Sequence, residues 1–130
     1  MERALADFFE GRKEVVVAYL YGSLASGDAG HNLDVGVFVR GDEDFLRLGT
    51  LLEMYPFRPG IKVPVDLRTL NDAPIWVKYK VIKEGIRVYE SSHDEAAELE
   101  ASIILEYLDF KPILEAYDRA FWERVLGEVQ

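Results

Sequence analysis

Apolar and polar positions change period several times along this chain, and each change marks an element. Glu2 to Glu10 sets Ala4, Leu5, Phe8 and Phe9 at helical spacing, which predicts an amphipathic helix ended by Gly11. Val15 to Tyr21 is an unbroken β-branched and aromatic run, as expected of a strand buried on both faces. Gly22-Ser23 closes it, a short helix is expected from Ser23, and Asp28 to Asn32 reads as a polar loop. Leu33 to Arg40 then alternates: Leu33, Val35, Val37 and Val39 face one way, Asp34, Gly36, Phe38 and Arg40 the other. Gly41-Asp42 ends that strand. Asp42 can cap a helix reaching about Met54, with Phe45, Leu48, Leu51 and Leu52 as its apolar face.

Pro56, Pro59 and Gly60 mark a loop. Lys62 to Arg68 alternates again, with Val63, Val65 and Leu67 on one face and Pro64, Asp66 and Arg68 on the other. Pro64 cannot donate a ladder hydrogen bond, so this strand is expected at an edge or to start there. Asn71 or Asp72 is expected to cap the next helix, with Pro74 in its first turn. Ile75, Tyr79 and Ile82 line its core face, and Lys78, Lys80 and Lys83 point mostly outward. Gly85 ends it, and Ile86 to Tyr89 reads as a last strand. Ser92 and Glu95 are spaced as a capping box opening a long helical arm to about Leu126. Leu99, Ile103, Tyr107, Phe110, Leu114, Tyr117, Phe121 and Val125 recur along it at threes and fours. Pro112 is expected to kink the arm or split it after Asp109.

These elements predict an α/β (α+β) fold, a mixed β-sheet flanked by helices with a long C-terminal helical arm. The chain of 130 residues suits one domain, with a core over residues 1–91 and the arm over 92–130. No apolar run approaches the roughly 20 residues needed to cross a bilayer. The acidic start MERALADFFE lacks the apolar stretch of a signal peptide, so the expected location is cytoplasmic. The absence of cysteine excludes disulfides and thiolate metal sites. The net charge is −9, and residues 91–130 carry −7 of it, with ten acids against three bases. Such a chain has little non-specific affinity for nucleic acid, and the arm favours a basic protein partner. A plain solvated helix face accounts for the same charge pattern.

Candidate chemistry gathers between Val15 and Val39. A glycine turn after a buried strand brings backbone close to a ligand, and free N–H groups at a helix start suit phosphate. Ten residues separate Ser23 from Asp34, which sits on the open face of the next strand. A hairpin-like turn followed by a solvated aspartate would give the same letters. Asp66 sits mid-strand, opposite the valines, and reads equally as an exposed strand acid. His31 lies in the polar loop.

Gly22-Ser23, the ten-residue gap and Asp34 resemble the nucleotidyltransferase fold of the DNA polymerase β superfamily, whose pattern is Gly-Ser, ten residues, then Asp-x-Asp. Gly36 stands where the second aspartate belongs, and Ala25-Ser26-Gly27 replaces the usual Ala-Arg-Gly. Val65-Asp66-Leu67 is similar to the strand that carries the family's third acid. The segment YLDFKPILEAYDRAFWERV resembles the tail of the minimal nucleotidyltransferases of the MntA antitoxin type.

The resemblance implies an antitoxin that binds and neutralises a HEPN-type RNase toxin, chiefly through residues 92–130. The active members transfer AMP from ATP to a toxin tyrosine. Carried over, Gly22 and Ser23 would bind the nucleotide, and Asp34 and Asp66 would be catalytic and hold Mg²⁺ with ATP. Gly36 offers no ligand, which points to weak or lost transfer. A fully active adenylyltransferase using Asp34 and Asp66 remains the alternative. Glycine at 36 is expected to leave room for the missing aspartate. Direct nucleic-acid or membrane binding is not expected, and a homo-oligomer stays open.

Overall fold

Val15–Tyr21 forms strand β1, which lies inside the sheet with a paired strand on each side. The protein is described here by a computed structural model covering residues 2–21, 33–41, 45–54 and 65–129. Around β1 come α1 (Glu2–Phe9), β2 (Leu33–Val39), α2 (Phe45–Met54), β3 (Val65–Thr69), α3 (Ile75–Glu84), β4 (Ile86–Glu90) and α4 (His93–Val129). The sheet order is β3-β2-β1-β4. β1 pairs antiparallel with both neighbours, and β2 pairs parallel with β3. The expected mixed sheet is therefore present, and β3 is an edge among the described strands. The short helix at Ser23, the Asp42 cap and Pro64 fall outside the described residues.

Helices cover both faces. On one, Leu5, Phe8 and Phe9 of α1 and Leu48 and Leu52 of α2 pack on Val15, Ala18, Leu20, Val35 and Val37. On the other, Val81 of α3 and Ala96 and Ile103 of α4 pack on Val16, Val17, Tyr19 and Phe38. A bulge explains how Val15 and Val17 come to face opposite ways. Val15 pairs with Val39 and Val17 with Phe38, so one extra residue is inserted in β1 and the side-chain alternation changes parity. Gly11 and Gly41 adopt positive φ (81° and 62°) where α1 and β2 end, a conformation open to glycine.

Three local expectations are corrected. Neither Asn71 nor Asp72 caps α3; Pro74 holds the N-cap position without a side-chain bond. Asn71 instead prolongs the sheet. Its Nδ2 donates to the Val39 carbonyl at 2.8 Å, and its Oδ1 accepts from the Val39 N–H at 2.9 Å. The expected face of α3 is present: Ile75, Tyr79 and Ile82 pack half-buried against the core, beside the more deeply buried Val81. Pro112 does not split the arm, and α4 is one helix of 37 residues. Pro112 and Leu108 are both exposed, so water can take the hydrogen bond that Pro112 cannot donate. Ser92 caps α4, with its Oγ accepting from the Glu95 N–H at 3.4 Å. Glu95 does not reach back to complete the box; it pairs with Arg40.

α4 is fastened to the sheet by polar groups as well as by packing. The Tyr19 hydroxyl, on a side chain 1% exposed, donates to Glu100, which also pairs with Arg87 of β4. Burial, and then Glu100, push the Tyr19 pKa upward. Replacing Glu100 by alanine strands the buried Tyr19 hydroxyl and leaves Arg87 with Glu90 alone, and should cost about 1–3 kcal/mol. Urea unfolding would measure it, and Glu100→Gln, which can still accept from Tyr19, should lose less.

Candidate functional site

The site is built where β1 ends and β2 and β3 begin. Register brings Tyr21 of β1 opposite Asp34 of β2, and Asp34 opposite Asp66 of β3. The two carboxylates therefore stand on one sheet face, on strands roughly 4.8 Å apart. The next row is Tyr19, Gly36 and Arg68. Arg68 lies two residues from Asp66 on the same face, and its Nε donates to Asp66 Oδ2 at 3.0 Å. Burial raises the Asp34 pKa, and the Asp66 charge adds to this, while Arg68 opposes it. Tyr21 is shifted upward too, first by burial and then by Asp34. Gly22 and Ser23, expected to hold the nucleotide, lie outside the described residues, as do Ser26 and His31.

Residues 3–94 match the family described as Polymerase beta, Nucleotidyltransferase. The chain belongs to this nucleotidyltransferase family. Its fold is similar to that of a solved MntA–HpeT toxin–antitoxin mutant (TM-score 0.68, 18% identity, covering 97% of this chain and 98% of that one). A toxin–antitoxin structure with AMP-PNP gives 0.67 at 19% identity, over 96% and 98% of the two chains. A structure of a tri-AMPylated Shewanella oneidensis HEPN toxin in complex with MNT antitoxin gives 0.64 at 18%, over 96% and 95%. No curated protein matches in sequence.

Within this nucleotidyltransferase, the place of the missing acid is not free, which corrects the expectation of room at Gly36. A Cβ built there would lie 2.9 Å from Leu70 Cδ1, 3.0 Å from Tyr21 Cε1 and 3.1 Å from Leu70 Cγ. Leu70 is buried, so two apolar side chains have closed over the backbone. The donor set consequently fits poorly with the Mg²⁺ that the resemblance implies. One carboxylate already accepts from a guanidinium, the second acid position is filled by hydrocarbon, and the described residues contain no group of three or more acidic, histidine or cysteine ligands.

A second surface is larger. Thirty-seven helical residues span about 55 Å, against about 23 Å for a seven-residue strand, so α4 outruns the sheet. Ser91 hydrogen-bonds Val16, and Glu100 meets Tyr19, so α4 travels towards the end of β1 that carries the carboxylates. From Lys111 to Gly127 only Leu114 and Val125 are even half-buried. Tyr117 is 74% exposed, Trp122 53% and Phe121 42%, so these aromatics do not pack back on the sheet. Tyr107 stacks on Tyr79 of α3, 3.8 Å between centroids. Beside that stack, a groove of about 550 Å³ runs between α3 and α4, away from both carboxylates. Trp76 lines it, half-exposed. No helix among the described residues is long and apolar enough to cross a membrane.

Sequence reasoning brought Asp34 and Asp66 to one face, and missed Tyr21, Leu70 and Arg68 as parts of the site. The alternation that placed Arg68 beside Asp66 was a usable signal; nothing local indicated that Leu70 and Tyr21 would converge on Gly36.

Two outcomes follow for stability. Gly36→Asp overpacks a closed contact and should destabilise by about 1–3 kcal/mol or more in denaturant unfolding, and Leu70→Ala in the same chain should recover part of the loss. Equal stability of Gly36→Asp and wild type would contradict this packing. The raised Asp34 pKa means that the ionised form is disfavoured in the fold. The stability it contributes is present below the ordinary value of 3.8 and lost as pH rises through the folded pKa. Asp34→Asn should therefore have a higher thermal midpoint than wild type near pH 7, and that advantage should vanish near pH 3.

Proposed function

We propose that this chain is a nucleotidyltransferase-fold antitoxin of the MntA type, which binds and neutralises a HEPN-type RNase toxin. Transfer of AMP from ATP to a toxin tyrosine is weak or lost in it. The observation that carries this reading is the contrast between the two surfaces. The carboxylate row is reduced to two acids beside Arg68, with Gly36 packed over. The arm presents the aromatic side chains of Tyr117, Phe121 and Trp122 to solvent.

Binding alone is a sufficient mechanism for such a protein. Tyr117, Phe121 and Trp122 supply large apolar area with few torsions to freeze, as interface anchors do. The arm's −7 charge steers a basic partner and disfavours pairing with a second copy of the arm. α4 runs towards the carboxylate end, so a toxin held on it lies near that end. The family and a similar structure with AMP-PNP support nucleotide use, for which Asp34, Asp66, Gly22 and Ser23 are the residues this reading assigns. The fully active transferase is the second reading, favoured by the register of Asp34 on Asp66. Either activity belongs in the cytoplasm, where ATP and an intracellular toxin meet.

Co-expressed with a HEPN-type toxin from its own genome, the chain should co-purify with it. Phe121→Ala with Trp122→Ala should weaken that complex at least tenfold, and added salt, which screens the charged arm, should weaken wild type and variant alike. An unchanged affinity in a folded double variant would sink the interface. Radioactive ATP distinguishes the two readings: labelling of the toxin by wild type, abolished by Asp66→Asn, makes the protein an active transferase.

A further inference from the structure

Gly36 and Arg68 are neighbours across β2 and β3, in the row next to Asp34 and Asp66. One position lacks the acid that the family pattern places there, and the other supplies a cation. With the second aspartate present and no arginine, this face would carry three negative charges in two adjacent rows. Here it carries two negative charges and one positive. The guanidinium leans back along its own strand onto Asp66 at 3.0 Å, and its charge also acts on Asp34.

We propose that Arg68 takes the place of a divalent cation on this face: the guanidinium neutralises the Asp34–Asp66 pair and keeps Mg²⁺-like ions from accumulating there. Mg²⁺ is held by carboxylates and substrate phosphates, and binds in proportion to the negative charge that faces it. Arg68 acts twice against it. Its Nε occupies an oxygen of Asp66 that would otherwise coordinate, and its fixed positive charge repels an incoming dication. The guanidinium is effectively always protonated, so the block does not lift at physiological pH. Gly36 itself offers no ligand, and Tyr21 and Leu70 crowd the place where one would stand. The pair Gly36 and Arg68 thus determines metal selectivity, beyond the simple loss of one ligand.

This rests on reading Asp34 and Asp66 as the family's carboxylates, and not on the antitoxin assignment. It is tested on the isolated full chain, so a failure here is separate from a failure to bind a toxin. Mn²⁺ binding, followed by water proton relaxation at low ionic strength, is measured for wild type, Arg68→Gln, Arg68→Gln/Asp66→Asn, Arg68→Lys and Arg119→Gln. The Arg68 side chain is 68% exposed, so its replacement leaves the fold intact, which circular dichroism checks. Removing one positive charge about 6 Å from a dication should tighten Mn²⁺ binding about tenfold in Arg68→Gln, with less gain as salt rises. Asp66→Asn should cancel the gain, and Arg68→Lys, which keeps the charge, should stay within about threefold of wild type. Arg119→Gln makes the same charge change on the remote arm and should gain nothing. Equal affinity in wild type and Arg68→Gln overturns the proposal. A gain that survives Asp66→Asn, or that Arg119→Gln reproduces, also overturns it.

Discussion

β1 is buried on both faces and hydrogen-bonded on both edges, and the rest of the molecule answers to that constraint. A strand in this position leaves no face to solvent, so helices must cover it twice. α1 and α2 take one side, α3 and α4 the other. Pairing on both edges fixes β2 and β4, and β2 in turn carries β3 as a parallel edge, with α2 in the connection between them. The end of β1 is therefore the place where three strands bring side chains into one row, Tyr21, Asp34 and Asp66. The candidate site is a consequence of how the central strand is paired.

That row shows that strand register and side-chain packing act separately on the site. The strand register keeps Asp34 on Asp66, whatever the neighbouring residues are. Side chains, in contrast, fill any space that a lost group leaves, because packed interiors tolerate few voids. Leu70 and Tyr21 have done so over Gly36. The adjacent guanidinium then satisfies a carboxylate that would otherwise face its neighbour's like charge. The two acids, one of them paired with Arg68, stand in a form unlike an open metal centre.

The arm obeys different physics. Its first half is held by Ile103 and Ala96 in the core, and by the contacts of Glu100 with Tyr19 and Arg87. Beyond Lys111 the same helical stripe continues past the sheet with little beneath it. Exposed apolar surface of this kind is characteristic of interaction surfaces, and acidic surroundings restrict what can bind to one.

Period and punctuation in the sequence determined most of the elements. The unbroken run Val15–Tyr21 dictated a doubly buried strand, and alternation placed Asp34 and Asp66 opposite the valines. The spacing of Gly22-Ser23 to Asp34 carried the family, although those two turn residues lie outside the described structure. Tertiary structure decided what local patterns cannot encode. A bulge reversed the facing of Val15, because pairing with β2 outweighs simple alternation. Asn71 became a sheet extension and not a cap, because the end of β2 offered both a donor and an acceptor. Pro112 stayed inside a helix, because water replaces its missing bond on an exposed face. Gly36 read as an open position and is a closed one, because Leu70 and Tyr21, distant in sequence, meet there only after the strands pair.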